Sequence, residues 1–172
     1  ETVELFYDAT VPVLKEIGYD FELIYVNDGS RDSTLDVLKK MVEEKEHMIV
    51  VDFSRNFGKE AAMYAGLKTA KGDYVAVMDV DLQDPPYMLK EMIYGLEEEG
   101  YDIVGTRRVS RKGEPPIRSW FAKQFYKLIN SFIDVEIVDG ARDYRLMKRK
   151  VVDSILSVSE YNRFSKGIFA WV

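Results

Sequence analysis

The chain has 172 residues, a net charge of −6 and 47% hydrophobic residues, enough for one domain with a sizeable core and too little for two. It contains no cysteine and one histidine, which removes disulfides, thiolate nucleophiles and Cys/His metal sites from consideration. The negative charge argues against nonspecific nucleic-acid binding, and no run of 18 apolar residues is present to span a bilayer.

Val3, Phe6, Tyr7, Leu14 and Ile17 recur at helical spacing, with Pro12 expected to kink that helix or end its first part. A strand follows at about Phe21 to Val26, then a turn at Asp28-Gly29-Ser30. Asp32 or Ser33 is placed to cap the next helix, whose buried stripe is Leu35, Leu38, Met41 and Val42. His47 reads as a surface or strand-entry residue. Met48 to Phe53 reads as a strand, Phe57 to Ala70 as a helix, and Tyr74 to Asp79 as a buried strand. Pro85-Pro86 opens a helix reaching about Glu99, Gly100 stops it, and Ile103-Val104 centres a further strand. This alternation implies a mostly parallel sheet covered by helices on both faces, with ligands expected beyond the carboxyl ends of the strands.

After Thr106 the chain becomes a basic loop with Arg107, Arg108, Arg111 and Lys112. From Ile117, Trp120, Phe121, Phe125, Leu128, Ile129 and Phe132 interleave with Arg118, Lys123 and Lys127. That amphipathic segment fits either a helix packed on the sheet or one lying at an anionic lipid surface.

Four segments carry chemistry. In Met78-Asp79-Val80-Asp81-Leu82-Gln83-Asp84-Pro85-Pro86, Asp79 and Asp81 offer carboxylate ligands to a hard divalent cation and Gln83 a neutral oxygen. The same aspartates also suit a helix cap or a solvated loop. In Val26 to Thr34, Asp28 can accept hydrogen bonds from a base or ribose while the Gly29-Ser30 turn brings backbone close, or the segment is a plain turn and cap. In Ser54 to Glu60, Arg55 and Lys59 lie near a helix amino terminus where phosphate can bind, or are ordinary surface residues. In Asp139 to Met147, Asp143, Arg145 and Met147 share one face, and Asp143 with Arg145 also reads as a structural ion pair.

In this order and at these separations, the four segments resemble those of the family 2 glycosyltransferases related to dolichol-phosphate mannose synthase and the bactoprenol glycosyltransferases. Tyr161 to Gly167 resembles a further family segment near the active site. The resemblance spans essentially the whole chain and implies a GT-A (Rossmann-like) α/β fold, with residues 1–172 forming one catalytic domain. It implies a metal-dependent enzyme of the hexosyltransferase class that transfers, with inversion, from a UDP- or GDP-sugar to a polyprenyl phosphate. The setting it implies is the cytoplasmic face of a membrane, in cell-envelope chemistry.

Carried over by position, the resemblance assigns Asp28 and Asp79 to the nucleotide and Asp79, Asp81 and Gln83 to Mg²⁺ or Mn²⁺. The reading of the turn and of the helix amino terminus adds Gly29, Ser30, Arg55 and Lys59 to the nucleotide site. Asp143 and Asp81 become the catalytic carboxylates, and Arg108, Arg111 and Arg145 the contacts to the acceptor phosphate. Family members usually begin with an apolar strand ending in Asn-Glu-Glu, and Glu1-Thr2-Val3 resembles the residues just after that strand. Bactoprenol-type members also continue into transmembrane helices beyond positions matching Ala170 and Trp171. The expectation is therefore a chain truncated at both ends, soluble by itself, with an open sheet edge that favours homo-oligomers. Transfer to a saccharide hydroxyl and a nonenzymatic nucleotide-binding module are the alternative readings.

Overall fold

A computed structural model describes residues 2–107 and 141–158. Arg108, Arg111, the amphipathic segment after Ile117 and the Tyr161 to Gly167 motif lie outside the described residues. The described elements in chain order are α1 (Thr2–Ile17), β1 (Leu23–Asn27), α2 (Thr34–Glu44), β2 (Met48–Asp52) and α3 (Lys59–Thr69). They continue with β3 (Tyr74–Val77), a 3₁₀ turn (Pro86–Met88), α4 (Leu89–Glu97), β4 (Ile103–Arg107), β5 (Ala141–Lys148) and α5 (Arg149–Ser157).

Strands β1 and β2 pair in parallel, with Leu23 opposite Met48 and Asn27 opposite Asp52. Strand β5 runs antiparallel between β3 and β4, pairing Val77 with Arg145 on one side and Ile103 with Met147 on the other. Thus β3 and β4 point the same way, and β5 is the reversed strand between them. Its register with β4 shifts between Gly105 and Arg107, where Thr106 donates its hydroxyl to the Tyr144 carbonyl at 3.2 Å.

The two faces of β5 bury different side chains, as the two-residue period of a strand requires. Tyr144 and Leu146 pack with Leu89, Met92 and Leu96 of α4. Met147 packs with Leu67 of α3, Val75 of β3 and Val151, Val152 and Ile155 of α5. A third cluster joins Val3 and Phe6 of α1 to Tyr25 of β1, Leu38 and Met41 of α2 and Met48 of β2. Helical spacing in α1, α2 and α4 thus delivers one apolar stripe each, and the strands receive them.

Three expected boundaries change. Strand β3 ends at Val77, so Asp79 lies in the loop beyond it and not on the strand. Helix α1 continues through Pro12. Proline forfeits only its own N–H bond and crowds one carbonyl, and the burial of Val3, Phe6, Thr10 and Val11 along the helix outweighs that local cost. The segment after Pro85 does not open directly as an α-helix, because Pro86 to Met88 first forms a 3₁₀ turn, and regular hydrogen bonding starts at Leu89.

Gly29 locks the β1 loop to the β2 loop. Its φ of +65° is left-handed, and a Cβ built there would stand 2.3 Å from the Arg55 carbonyl carbon and 2.5 Å from the Asn56 nitrogen. Neither obstacle is a side chain that can swing away. Gly29→Ala is therefore expected to destabilise the fold by about 2–4 kcal/mol, combining left-handed strain with overpacking. Urea unfolding checks this, and an unchanged midpoint would contradict the contact.

Candidate active site

The loops following β1, β2 and β3 are joined by side chains of the motif residues. Asn27, 3% exposed, donates from Nδ2 to Asp52 Oδ1 at 2.8 Å and accepts from the Ser30 N–H at 3.4 Å. Asp28 accepts the Phe57 N–H on Oδ1 at 2.7 Å and the Gly58 N–H on Oδ2 at 2.9 Å. Both carboxylate oxygens thus hold the turn that begins α3, while each keeps acceptor capacity for a further donor. Arg55 stacks its guanidinium 4.8 Å from the Phe57 ring centre, and Phe57 meets Phe53 edge-on at 5.5 Å.

Lys59, in the first turn of α3, reaches across to the loop after β3 and to β5. Its Nζ lies 2.8 Å and 2.9 Å from the two oxygens of Asp79 and 2.7 Å from Asp143 Oδ2. Burial works against its charge, but the hydrogen bonds and attraction to Asp143 and Asp79 prevail and hold the ammonium above the ordinary lysine pKa. The sequence reading places Lys59 near a helix amino terminus, where phosphate can bind. In the structure it joins two carboxylates to which the family resemblance gives separate roles.

The loop after β3 is fixed from the other side by Arg142 of β5. Arg142 donates from Nη2 to Gln83 Oε1 at 3.1 Å and from Nε to Asp84 Oδ2 at 3.0 Å. Asp81 Oδ1 accepts the Gln83 N–H at 3.0 Å, closing an Asx turn, and Leu82 between them takes a left-handed φ of 57°. A non-glycine residue in that region marks local strain, held by the flanking contacts.

Asp84 is buried, and desolvation raises its pKa, opposed by Arg142 and reinforced by Asp79, Asp81 and Asp143. Four carboxylates therefore share one end of the fold, with Lys59 and Arg142 among them. Arg145 is 7% exposed and donates to the backbone carbonyls of Asp143 at 3.2 Å and Arg142 at 2.8 Å. Desolvation lowers its pKa to about 10 despite the pull of Asp143.

The structure thus brings Asp79, Lys59 and Asp143 together and places Gln83, Asp81 and Asp84 on one turn beside Arg142. It ties Asp28 and Gly29 to the loop carrying Arg55, holds the Ser30 N–H on Asn27, and turns the Arg145 guanidinium onto carbonyls of its own strand. Sequence reasoning missed Arg142 and Asp84 as a pair and Asn27 with Asp52. The available signal for Arg142 was its place two residues from Tyr144 on the same strand, opposite in facing to Asp143.

As ligands for a divalent cation, Asp79, Asp81 and Gln83 supply hard oxygen donors of the right chemistry. No cluster of three His, Cys, Asp or Glu positioned to hold a metal occurs among the described residues. Of these oxygen donors, Asp79 is bonded to Lys59 and Gln83 Oε1 to Arg142.

The strand order, the two covered faces of β5 and the carboxylates at the strand ends define a GT-A α/β fold. The family model described as Glycosyl transferase family 2 matches residues 8–156, and the chain belongs to that family. CsbB of Bacillus subtilis (strain 168), named as a putative glycosyltransferase, is 45% identical over 170 residues, 99% of this chain and 51% of that protein. A Synechocystis protein named as an uncharacterized glycosyltransferase is 42% identical, covering 100% of this chain and 54% of its own length. The bactoprenol glucosyl transferase of Shigella phage SfV is 38% identical over 173 residues, 100% of this chain and 56% of that protein. The chain spans about half the length of these relatives.

Among solved structures, Staphylococcus aureus TarS 1-349 superposes with a TM-score of 0.58 at 18% identity, over 97% of this chain and 50% of that one. The mannosyltransferase PcManGT of Pyrobaculum calidifontis, in complex with GDP-Man and Mn²⁺, gives 0.54 at 18% identity, over 87% and 42%. Both likenesses establish the shared fold. The chain is thus a glycosyltransferase domain by family.

Removing Arg142 leaves Asp84 buried without its nearest counter-charge. Arg142→Ala is expected to cost about 1–3 kcal/mol at neutral pH, less than a fully buried pair because Arg142 is 30% exposed. The sign follows from the raised pKa of Asp84. Stability that is full below the ordinary aspartate value is lost as pH rises through the folded value, and losing Arg142 moves that value higher. The penalty should therefore be large near pH 7 and shrink toward about pH 4, as measured by urea unfolding. A pH-independent penalty would contradict the pairing.

Proposed function

We propose that this chain is the catalytic domain of an inverting glycosyltransferase that moves a sugar from a UDP- or GDP-sugar to a polyprenyl phosphate at a membrane surface. The observation that carries the reading is the meeting of Asp79, on the donor-side loop, with Asp143 of β5 across a single ammonium. Two carboxylates from distant segments then border one reaction space. Relatives named bactoprenol glucosyl transferases support the lipid acceptor.

In this reading Asp28, Gly29, Ser30 and Arg55 border the nucleotide, and Asp79, Asp81 and Gln83 hold Mg²⁺ or Mn²⁺ with the diphosphate. When bound, the cation supplies stabilisation for negative charge on the leaving diphosphate. The acceptor phosphate oxygen forms the new bond to the anomeric carbon as the bond to the donor diphosphate breaks, releasing the nucleoside diphosphate. A phosphomonoester loses its second proton near about pH 6, so the attacking oxygen needs no strong base at neutral pH. Asp143 then orients the acceptor rather than deprotonating it. Arg108 and Arg111 remain the acceptor-phosphate candidates. Arg145, buried and turned to backbone carbonyls, serves this reading best by fixing the strand that presents Asp143.

The test incubates the full-length protein in membranes with a panel of UDP- and GDP-sugars and either polyprenyl phosphate or saccharide acceptors, reading sugar transfer. Lipid-linked sugar is expected with one donor, and Asp81→Asn should lower its formation about a hundredfold or more. Transfer to the saccharide alone would replace the acceptor, and nucleotide binding without any transfer would point to a binding module. Full activity of Asp81→Asn in excess chelator would overturn the cation assignment.

A further inference from the structure

Lys59 touches both the donor-side and the acceptor-side carboxylate. It holds Asp79 by both oxygens, at 2.8 Å and 2.9 Å, and Asp143 by one, at 2.7 Å. The oxygens of the two carboxylates therefore lie no further apart than those contacts allow, and like charges so close repel unless a cation stands between them. Three segments supply the trio: the first turn of α3, the loop after β3 and the first half of β5. The Lys59 side chain is half-exposed, with 49% open to solvent, so the lysine can exchange partners.

We propose that Lys59 is a resident counter-ion that holds Asp79 to Asp143 before the donor arrives, yields Asp79 to the incoming divalent cation, and keeps its grip on Asp143. Lys59 is then a positioning residue: it couples donor loading at Asp79 to the setting of Asp143, and it is not a ligand of the donor phosphates. The inference rests on the donor-side and acceptor-side roles given above to Asp79 and Asp143.

A divalent cation arriving at Asp79 meets an ammonium already bonded to both oxygens, and must displace it or sit beside a like charge. Removing the ammonium should therefore make the cation bind more tightly. A lysine that grips a donor phosphate would in addition lose nucleotide affinity when its charge is removed, whereas a resident counter-ion of the two carboxylates would not. The two roles thus predict different outcomes for the same variant.

The experiment titrates Mn²⁺ alone into the full-length protein without nucleotide and reads free Mn²⁺ by electron paramagnetic resonance. Lys59→Met should bind Mn²⁺ about tenfold more tightly than wild type, the scale of one screened unit charge. Lys59→Arg, which keeps the charge, should stay near the wild-type affinity. Binding of UDP or GDP without metal, measured by calorimetry, should be unchanged in Lys59→Met, as expected of a lysine that does not grip the donor phosphates. Circular dichroism of each variant checks that the fold is retained, and Lys59→Gln replaces Lys59→Met if that variant unfolds. Mn²⁺ binding in the charge-removed variant that is equal to or weaker than in wild type overturns the proposal, as does a loss of metal-free nucleotide affinity in the same variant. Transfer assays on the same preparations keep the two readings apart: a protein that transfers no sugar to polyprenyl phosphate defeats the proposed function, while the Mn²⁺ comparison still decides the role of Lys59.

Discussion

The site depends on a single electrostatic constraint, the crowding of Asp79, Asp81, Asp84 and Asp143 at one end of the fold. Carboxylates this close repel one another, and the described structure answers with Lys59 between Asp79 and Asp143 and Arg142 against Asp84 and Gln83. Each cation comes from a different element than the carboxylate it meets. Charge balance and loop placement are therefore the same event, since the loop after β3 cannot take this path without α3 on one side and β5 on the other. The raised pKa of Asp84 shows that the balance there is incomplete, with burial prevailing over Arg142.

Hydrophobic packing makes that arrangement possible. Strand β5 carries Tyr144 and Leu146 into the cluster with α4 and Met147 into the cluster with α3 and α5, which sets its rotation and so the direction of Asp143. The nucleotide-side loops are held differently. Asp28 binds two successive backbone N–H groups of the α3 approach, and Gly29 fits against the peptide of Arg55 and Asn56 with no room for a Cβ. A carboxylate that serves the fold in this way remains able to accept another hydrogen bond, so the structural and ligand-facing roles of Asp28 are compatible.

Much of this was legible in the sequence because it is local. The alternation of strands and helices, the turn at Asp28-Gly29-Ser30 and the acidic segment at the end of β3 all follow from short-range periodicity and turn chemistry. The common face of Asp143, Arg145 and Met147 follows from the strand period. The pairings of Lys59 with Asp143 and of Arg142 with Asp84 join residues far apart in the chain, and no local spacing encodes which cation meets which carboxylate. The path of α1 through Pro12 was hidden for a related reason, since the burial that offsets the proline comes from partners on α2 and β1. The reversed direction of β5 likewise depends on its two neighbours, and its own sequence specifies only which residues share a face.

The most direct test of the central claim is a double-mutant cycle between Lys59 and Asp143, with unfolding free energies measured in urea for wild type, Lys59→Met, Asp143→Ala and the double variant. The shared ammonium predicts a coupling of about 0.5–1 kcal/mol, limited by the exposure of Lys59 and diminished by added salt. Additive effects of the two substitutions at low salt would contradict it.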